Sequence, residues 1–457
     1  MENRAKRILI VTPDTIGERM AGPAIRAWHV AQALSAVGEV RLASTVGATV
    51  TSPEFTIVHA GQDALKPHAE WADVVIIQGH ILRTHTWLKA MDVLIVADIY
   101  DPVHLEWLEQ GRDLPEADYY ASSVDSVEVM NDQIERADFM VCASEKQRDF
   151  WLGQLAAMTR VNPATYAADP TLRNLLDVAP FGIQDAPPVQ KAHGIRGVVD
   201  GIGADDKVIL WGGGVYNWFD PLTLISAVGR LAKDHPEVRL FFLGVKHPNP
   251  DVPQMEMERA ARRLSDELGL TDSVVFFNET WVPYDQRADF LLDADLGVST
   301  HLEHIETAYS FRTRVLDYWW AGLPVVATDG DTFAPLIRDN GLGRVVPPQD
   351  VEALEAALGE VLFDDAERER IRENVRAFAG RMHWSTTLEP LVRYVRAPYP
   401  AADRVRGVIS QRNQITADLR KRIAGMEASS SWRVTAPLRL AGEWVARLRG
   451  RAPERPE

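Results

Sequence analysis

The stretch Ser310–Gly330, SFRTRVLDYWWAGLPVVATDG, decides the fold of this chain. Its first half carries apolar residues at helical spacing, which predict an amphipathic helix over Phe311–Ala321: Phe311, Val315, Leu316 and Trp319. Gly322 stands where a helix C-cap belongs, and Pro324 blocks any continuation of the helix. The apolar run Val325–Ala327 then predicts a short parallel strand that is covered on both faces. A helix, a turn and a buried strand in this order indicate an α/β fold.

The predicted helix also carries groups that suit a phosphorylated ligand. A helix N-terminus attracts phosphate through its free N–H groups and its dipole. Arg312 and Arg314 lie near that end, and arginine can contact phosphate through two parallel hydrogen bonds. A solvated helix face is the alternative for both arginines. Asp317 follows further along the helix, where its carboxylate can accept a hydrogen bond from a ribose or sugar hydroxyl.

The run Asp317–Thr328, DYWWAGLPVVAT, resembles the donor-binding segment of retaining nucleotide-sugar glycosyltransferases with the two-Rossmann (GT-B) fold. The resemblance is to the glycosyltransferase family 4-like, bacterial polysaccharide branch, and it extends from about Arg7 to about Arg396. In that family a carboxylate just before a small-Gly-x-Pro-Val-Val turn holds the ribose of the donor nucleotide, and Asp317 occupies this place. The resemblance implies a nucleotide-sugar co-substrate and no other cofactor.

The rest of the chain alternates apolar strands with helical segments in two series, which predicts two doubly wound parallel sheets. The predicted strands of the first series are Arg7–Thr12, Val40–Thr45, Asp73–Gln78, Val93–Asp98 and Phe139–Ser144. Those of the second series are Lys207–Gly214, Val238–Gly244, Ser273–Asn278, Asp295–Thr300 and Pro324–Thr328. We therefore expect a Rossmann-like acceptor-side domain over residues 1–185 and a Rossmann-like donor domain over residues 186–383. By resemblance, residues 384–400 form a helix that returns to the first domain.

The composition is that of a soluble globular protein, with 46% hydrophobic and 25% charged residues among 457. The single cysteine, Cys142, excludes an internal disulfide framework and fits a reducing compartment. No apolar run approaches the roughly 20 residues that span a bilayer. The first residues lead directly into a strand, so we expect no secretory signal and a cytoplasmic location. The net charge of -16 argues against nucleic-acid binding.

Residues 401–457 have a different character from the rest of the chain. Arg404–Arg451 contains 11 basic and 3 acidic residues, a local charge of +8. Apolar residues at near-heptad spacing predict a short coiled coil: Val408, Ile415, Leu419, Ile423 and Met426. A basic amphipathic helix is predicted after them, and it suits an anionic membrane surface, such as the inner face of the plasma membrane, or a helical partner. A solvated tail is the alternative.

Two carboxylates stand at the carboxyl end of the predicted strand Val93–Asp98, where a Rossmann half presents its ligand groups. Relatives in the resembled family place a histidine or a His-Asp pair here, beside the reacting carbon of the donor sugar. Asp98 and Asp101 are the matching positions, and the sequence leaves open which of them is nearer that carbon. A helix N-cap is the alternative role for Asp101. In the first strand-to-helix turn, Gly22 allows close approach of the backbone to a ligand.

The glycine-rich turn that begins at Trp211, WGGGVYNWFDP, leads from a strand into a helix. It lacks the last glycine of a dinucleotide-binding fingerprint, which argues against a dehydrogenase. By resemblance, Gly213 and Gly214 face the donor diphosphate. Relatives follow this turn with an arginine and a lysine that are missing here, so the positive charge is expected from Arg312 and Arg314. Lys246 is a further candidate.

Other donor contacts are implied by the resemblance. The family motif has two glutamates separated by seven residues, and Tyr309 stands at the first position. Glu306, in the preceding loop, is predicted to contact the hydroxyls of the donor sugar, with Glu303 as its competitor. The loop around Val282 resembles one that contacts the base through its backbone. Ser310 and Phe311 are predicted to adjoin the donor.

Two short carboxylate patterns match those that hold a divalent metal in other glycosyltransferases, namely Asp293–Asp295 and Asp329–Asp331. Asp293 and Asp295 straddle a helix-to-strand junction, where capping roles are common. The resembled family generally works without a bound metal. We therefore predict no metal site.

These features predict an enzyme that transfers a sugar from a nucleotide-sugar donor to a glycan or lipid-linked glycan acceptor, with retention, in bacterial surface polysaccharide synthesis. One alternative is a nucleotide-sugar epimerase, which needs no acceptor. Another is a non-catalytic nucleotide-sugar-binding scaffold of a glycan-assembly complex, because the family carboxylate pair is altered.

Overall fold

A computed structural model describes residues 5–61, 63–245, 254–408, 418–419, 421–426 and 428–435. Contacts between residues divide the chain into two compact units, Met1–Ala401 and Ala402–Glu457. Within the described ranges, the first unit contains two sheets whose strand pairs are all parallel. The predicted fold class, α/β with two doubly wound parallel sheets, is therefore confirmed.

The first sheet has its described strands in the order β3-β2-β1-β4-β5-β6-β7. These are β1 (Lys6–Thr12), β2 (Gly38–Ser44), β3 (Thr56–His59), β4 (Val74–Gln78), β5 (Leu94–Asp98), β6 (Phe139–Cys142) and β7 (Leu176–Val178). The order runs outward in both directions from β1, as expected of a doubly wound sheet. Its helices are α1 (Gly22–Ser35), α2 (Lys66–Trp71), α3 (Ile81–Thr84), α4 (Val103–Gln110), α5 (Glu116–Arg136), α6 (Glu145–Ala157) and α7 (Pro163–Ala168).

The second sheet has its described strands in the order β10-β9-β8-β11-β12-β13. These are β8 (Lys207–Trp211), β9 (Val238–Phe242), β10 (Val275–Phe277), β11 (Leu296–Ser299), β12 (Val325–Thr328) and β13 (Gly343–Val346). Its helices are α8 (Pro221–Asp234), α9 (Glu256–Glu267), α10 (Arg287–Leu291), α11 (Ile305–Tyr309), α12 (Arg314–Trp320), α13 (Phe333–Asn340), α14 (Val351–Phe363) and α15 (Asp365–Ala379).

The stretch that decides the fold forms the predicted helix, turn and strand. Helix α12 ends at Trp320, and Gly322 beyond it adopts φ +70°, a left-handed conformation that favours glycine. All four residues of β12 are buried, and the strand pairs with β11 on one side and β13 on the other. The helix begins at Arg314, however, three residues later than predicted, and it has only seven residues.

After the second sheet the chain returns to the first domain. Helices α16 (Trp384–Thr387) and α17 (Glu389–Arg396) follow α15. The Tyr394 ring stacks on Phe139 of β6 with centroids 4.4 Å apart, and Arg393 forms an ion pair of 2.9 Å with Asp177. This helical return packs the segment that follows the second domain against the first sheet.

Three strands were not predicted from the sequence: β3, β7 and β13. Each lies at an edge of its sheet. An edge strand is short and partly exposed, so it lacks the apolar run that marks a buried central strand. In β3, for example, the burial pattern is exposed, intermediate, intermediate, exposed.

The second unit contains the short helices α18 (Ala402–Val405) and α19 (Ser430–Val434) in its described part. Leu419, Ile423 and Met426 of the apolar repeat are each more than half exposed within this unit. Ile415 and residues 436–457 lie outside the described residues, so the coiled coil and the basic helix stay predictions. Over the described ranges, no helix combines the length and the hydropathy that crossing a membrane requires.

Candidate functional site

A cleft of about 370 Å³ lies between the two domains, at the carboxyl ends of both sets of strands. Ligands of open α/β sheets bind at this edge, because the loops that follow the strands converge there. The first domain contributes the β1–α1 and β5–α4 turns. The second domain contributes the β8–α8 turn, the loop before α10 and the segment Ser310–Asp317.

Gly22 lines the cleft at the first position of α1, as predicted. A Cβ at this position would meet nothing within 4 Å, so the backbone faces open space. The start of the 14-residue helix α1 therefore adjoins the cleft with its free N–H groups.

Asp98 does not line the cleft. Its carboxylate receives two hydrogen bonds from Arg26, of 2.7 and 2.8 Å, and one of 3.1 Å from Gln78. Both side chains of the Arg26–Asp98 pair are almost completely buried. The prediction that Asp98 contacts the donor sugar is corrected on this geometry, because a carboxylate with these partners joins α1 to β5 and stabilises the first domain.

Asp101 does line the cleft, and Glu106 of α4 accompanies it. The two side chains share a hydrogen bond, so the pair holds a proton. Burial raises the pKa of Asp101 to about 6, against the opposing effects of Glu106 and Arg312. Burial and the charges of Asp101 and Glu306 raise the pKa of Glu106 well above its usual value. Sequence reasoning missed Glu106, although it lies only five residues after Asp101 on the next helix.

The glycine-rich turn forms the floor of the cleft. Gly213 has φ +85°, and a Cβ there would meet nothing within 4 Å. A Cβ on Gly214 would lie 3.0 Å from the Tyr216 ring, which stacks on Trp218 with centroids 4.8 Å apart. Both glycines line the cleft, and Gly213 is free to let a ligand approach the backbone.

Arg314 is a buried cation on this floor. Its Nη2 donates to the Gly214 carbonyl at 2.8 Å, and its guanidinium lies 3.9 Å from the Phe219 centroid. Its Nη1 is buried without a hydrogen-bond partner. Among the described residues no carboxylate pairs with it, and burial lowers its pKa to about 10. The side chain thus remains charged at neutral pH and offers an unused donor.

Arg312 also lines the cleft, but a carboxylate neutralises it. Glu306 accepts two hydrogen bonds from Arg312, of 2.8 and 2.7 Å, and its side chain is buried. Glu306 is absent from the cleft lining, so the predicted contact with the donor sugar is corrected: Glu306 holds Arg312 in place from behind. Its competitor Glu303 is exposed.

Asp317 lines the cleft with its side chain 43% exposed, and it meets a residue that the sequence did not indicate. Arg287 places its Nε 3.3 Å from Oδ1 of Asp317. The signal available in the sequence was only that Arg287 follows the loop expected to contact the base. The two aromatic rings beside its guanidinium belong to Tyr284 and Trp320, which are far apart in the sequence.

Only some of the other residues predicted to contact the donor line the cleft. Ser310 and Phe311 line the cleft; Ser310 Oγ donates to the Thr307 carbonyl at 3.1 Å, and the Phe311 ring packs against Phe333. Val282 is not part of the lining, whereas Trp281 and Tyr284 on either side of it are. Lys246 lies outside the described residues.

Direct contacts between the domains surround the cleft. Trp281 Nε1 donates to the Met20 carbonyl at 3.2 Å, and the Tyr284 N–H donates to the Glu18 carbonyl at 2.9 Å. At the other end, Gln147 donates to the Tyr309 carbonyl at 2.8 Å and the Tyr309 ring packs on Phe150. Tyr309, which replaces the first family glutamate, therefore contacts the opposite domain.

The aspartate pairs considered for a metal have structural partners. Asp293 accepts hydrogen bonds from the backbone N–H groups of 194–196, and Asp295 pairs with Arg196 at 2.5 Å. Asp331 accepts from the N–H groups at the start of α13. Within the described ranges, no group of three or more His, Cys, Asp or Glu side chains is arranged to hold a metal ion.

Solved structures share this architecture over most of the chain. Sucrose-phosphate synthase from Thermosynechococcus elongatus matches with a TM-score of 0.58 and 15% identity, covering 86% of this chain and 98% of that one. Anabaena HepE in complex with UDP and glucose matches with a TM-score of 0.59 and 13% identity, covering 86% and 100%. The fold is GT-B. At these identities the likeness concerns the fold of the GT-B enzymes alone.

Sequence comparisons point to the same class of protein. Residues 199–378, most of the donor domain, match the family model of the glycosyl transferases group 1. A D-inositol 3-phosphate glycosyltransferase of Corynebacterium urealyticum is 27% identical over 43% of this chain and 44% of its own length. A phosphatidyl-myo-inositol mannosyltransferase of Mycolicibacterium smegmatis is 25% identical over 48% and 50%.

The matched part spans about half the length of these curated relatives. The predicted resemblance to GT-B glycosyltransferases is confirmed, and the prediction of an enzyme agrees with the relatives' names.

Proposed function

We propose that this protein transfers a sugar from a nucleotide-sugar donor to a glycan or lipid-linked glycan acceptor. One observation carries the proposal: Arg314 is a buried cation at the cleft floor with no carboxylate partner among the described residues and an unused Nη1 donor. A buried charge without a counter-charge is costly, so a folded protein retains one where a ligand supplies the opposite charge. A donor diphosphate carries such a charge.

The groups around Arg314 suit the rest of a nucleotide-sugar. Gly213 lets the diphosphate approach the backbone. Arg312, whose charge Glu306 neutralises, lines the same cleft as a further hydrogen-bond donor. Asp317 is assigned to the ribose hydroxyls. Asp101, on the opposite side of the cleft, is assigned to the donor sugar or to the acceptor hydroxyl.

The chemistry requires little from the protein beyond position and charge. The bond between the anomeric carbon and the donor phosphate oxygen breaks, the acceptor oxygen bonds to that carbon, and the hydroxyl proton is released. Arg314 stabilises the negative charge that develops on the departing diphosphate. The contacts between domains exclude water and hold the two substrates together, which favours transfer over hydrolysis.

The finer parts of the proposal rest on the resemblance and on the relatives' names. Retention at the anomeric carbon is taken from the resembled family. The relatives named above act on an inositol phosphate and on a phosphatidylinositol, so phosphate-bearing and lipid acceptors belong in the first assays. Synthesis of a bacterial surface polysaccharide is the proposed setting.

Donor binding is the first test. Calorimetry with UDP-, GDP- and dTDP-sugars should show micromolar binding of at least one donor to the wild type. Asp317→Ala should weaken that binding at least about tenfold, because a charged hydrogen bond to ribose is lost. Asp339→Ala, an exposed aspartate of α13, serves as the matched control. Equal affinity of wild type and Asp317→Ala would contradict this placement of the donor.

Turnover separates the rival functions. Incubation of the bound donor with candidate acceptors should release nucleoside diphosphate and yield a glycoside with the configuration of the donor. A free or nucleotide-linked epimer formed without acceptor would support the epimerase. Donor binding without any product across lipid-linked and soluble acceptors would support the scaffold.

The basic segment 404–451 supports a lipid-linked acceptor, because its charge of +8 suits an anionic surface. Flotation with vesicles that contain an anionic phospholipid should retain the full chain at low salt. Deletion of residues 401–457 should abolish the retention, and unchanged flotation would reject a membrane role for this segment.

A further inference from the structure

Arg287 begins helix α10 and lines the donor cleft, yet no role has been assigned to it. Its side chain is only 9% exposed, which is unusual for an arginine. The residue follows directly on a single 3-10 turn, Tyr284–Gln286, in the loop that contacts the first domain through Glu18.

Two aromatic rings hold the guanidinium in a fixed position. Its carbon lies 3.8 Å from the Tyr284 centroid and 4.6 Å from the Trp320 centroid. Tyr284 is fixed in turn, because its hydroxyl is 2.8 Å from Nε2 of His29 in α1. Contact with two rings restricts the rotamers of the arginine, so its donors keep their direction in the absence of a ligand.

Those donors form no hydrogen bond within the described protein, although Nε lies 3.3 Å from Asp317 Oδ1 in an ion pair. Arg287 Nε and Nη1 are both buried and lack a hydrogen-bond partner. A buried donor without a partner destabilises a folded protein, because its hydrogen bond to water is lost and not replaced. Such a group in a ligand cleft is explained most simply by a ligand atom that accepts the hydrogen bond.

The charge around Arg287 indicates what kind of ligand atom accepts its hydrogen bond. Asp317 lies 3.3 Å away and supplies a counter-charge, whereas Arg314 has none among the described residues. An arginine that is already neutralised attracts an anionic phosphate weakly. It still donates well to a neutral oxygen. Arg287 therefore suits a hydroxyl rather than the diphosphate.

Arg287 and Asp317 place a hydrogen-bond donor directly beside an acceptor. Asp317 Oδ1 can accept from a hydroxyl while the neighbouring Arg287 N–H donates to the same oxygen or to the adjacent one. A vicinal diol matches this pattern on both oxygens. A single hydroxyl with no neighbour leaves either the buried Arg287 donor or the Asp317 oxygen unpaired.

We propose that Arg287 and Asp317 together recognise the 2′,3′-diol of the donor ribose and select ribonucleotide over 2′-deoxyribonucleotide donors. Arg287 contacts the ribose and fixes the carboxylate of Asp317 at the same time. dTDP-sugars, which carry 2′-deoxyribose, are thereby disfavoured. The inference rests on the proposed donor site and adds to it a residue and a selectivity.

The test compares matched nucleotides. Dissociation constants of UDP, 2′-deoxy-UDP, GDP and 2′-deoxy-GDP are measured for the wild type and for Arg287→Met. The wild type should prefer the ribonucleotide of its base at least about tenfold, since a site built to bond a hydroxyl rejects the analogue that lacks it. Arg287→Met should reduce the preference below about threefold, mainly by losing affinity for the ribonucleotide.

Arg262→Met is the matched control. Arg262 also stacks on an aromatic ring, 4.8 Å from the Phe277 centroid, and pairs with Glu258 and Glu279, but it does not line the cleft. Its substitution should leave the preference unchanged. Arg287→Lys keeps the charge without the two-donor fork, and it should also lower the preference.

The outcomes separate this inference from the proposed function. Equal binding of ribo- and deoxyribonucleotides by the wild type overturns the inference and leaves the donor site standing. A parallel loss of both affinities in Arg287→Met, with the preference retained, shows a structural role only and also overturns it. If dTDP binds the wild type and none of the four nucleotides does, the inference is overturned and the donor site stands. If no nucleoside diphosphate binds, the proposed function fails together with the inference.

Discussion

Arg26 and Arg314 are buried arginines on two helices, one from each domain, that border the same cleft, and their surroundings differ. Arg26, on α1 of the first domain, forms two hydrogen bonds to Asp98 and a third to the Ala179 carbonyl. Arg314, on α12 of the second domain, donates to one carbonyl and has no ion pair within the described part of the chain. Asp98 neutralises the charge of Arg26 within the protein, whereas we propose that a ligand neutralises the charge of Arg314.

The partner of a buried charge distinguishes a structural role from a ligand-binding role. Both arginines lie in the first two turns of a helix whose start adjoins the cleft, so position alone does not distinguish them. The partner does. Removing one partner of a buried ion pair destabilises the protein, because the other charge is left buried and unpaired. A buried charge that has no partner lowers the stability of the free protein, and binding of an oppositely charged ligand raises it.

Breaking the Arg26–Asp98 pair should have the largest effect. Arg26→Met leaves Asp98 as an unpaired buried carboxylate, and the free energy of unfolding should fall by about 3–5 kcal/mol. Urea denaturation measures the change. The double variant Arg26→Met/Asp98→Leu should recover much of the loss, because no charge is left buried. A single variant as stable as the wild type would show that the pair is not structural.

Glu306→Gln should have the next largest effect. It removes the negative charge that holds Arg312 and leaves this buried guanidinium without its ion-pair partner. We expect a loss of about 2 kcal/mol in the free energy of unfolding. Donor diphosphate binding should be retained or strengthened. The exposed Glu303→Gln is the control, and it should change stability by less than about 0.5 kcal/mol.

Asp101→Asn should stabilise the protein modestly and remove a pH dependence. The folded pKa of Asp101, about 6, lies above its unfolded value of 3.8, so the native state binds more protons between these values. Stability therefore falls as the pH rises from about 4 to about 6, and the loss persists at neutral pH. Asp101→Asn should be more stable than the wild type by about 1 kcal/mol at pH 7.5 and not at pH 4.

The same titration should affect ligand binding. Protonation of Asp101 below about pH 6 removes a negative charge from a cleft that receives an anionic diphosphate. Nucleoside diphosphate affinity should therefore rise as the pH falls from 7.5 to 5.5, and Asp101→Asn should flatten this profile. A wild-type affinity that falls over the same range would contradict the assignment.

The smallest effect on stability is expected for Arg314→Met. Removing this cation relieves a desolvated charge but also removes its contact with the Phe219 ring. The Gly214 carbonyl keeps a hydrogen bond of 3.2 Å from Trp211 Nε1. The free energy of unfolding without ligand should therefore stay within about 1 kcal/mol of the wild type. A loss as large as that of Arg26→Met would make Arg314 a structural residue.

Much of the fold could be predicted from the sequence. The central strands are buried on both faces, so their apolar runs and the Gly-Pro turn before β12 identify two doubly wound sheets. The edge strands β3, β7 and β13 escaped because partial exposure removes that signal. The start of α12 at Arg314 was not predicted either, because Phe311 has helical spacing with the later apolar residues but precedes the helix.

The site could be predicted only in part, because its chemistry depends on pairing. The sequence correctly brings Asp101, Arg312, Arg314 and Asp317 to the cleft. It does not show that Arg26, 72 residues away, takes Asp98 out of the site, or that Glu306 turns toward Arg312. Arg287 and Glu106 were missed for the same reason: their significance comes from neighbours that only the folded chain provides.

The central claim is that Arg314 binds the diphosphate of a nucleotide. Ligand-induced thermal stabilisation tests this claim most directly. The melting temperature of wild type and Arg314→Met is measured with UDP and with GDP, each at increasing concentration. At about 100 times the dissociation constant, a ligand adds about 2.7 kcal/mol to the stability of the wild type. We predict that at least one nucleotide raises the wild-type melting temperature by several degrees and leaves Arg314→Met unchanged. Equal shifts in both proteins, or no shift in the wild type, would contradict the account.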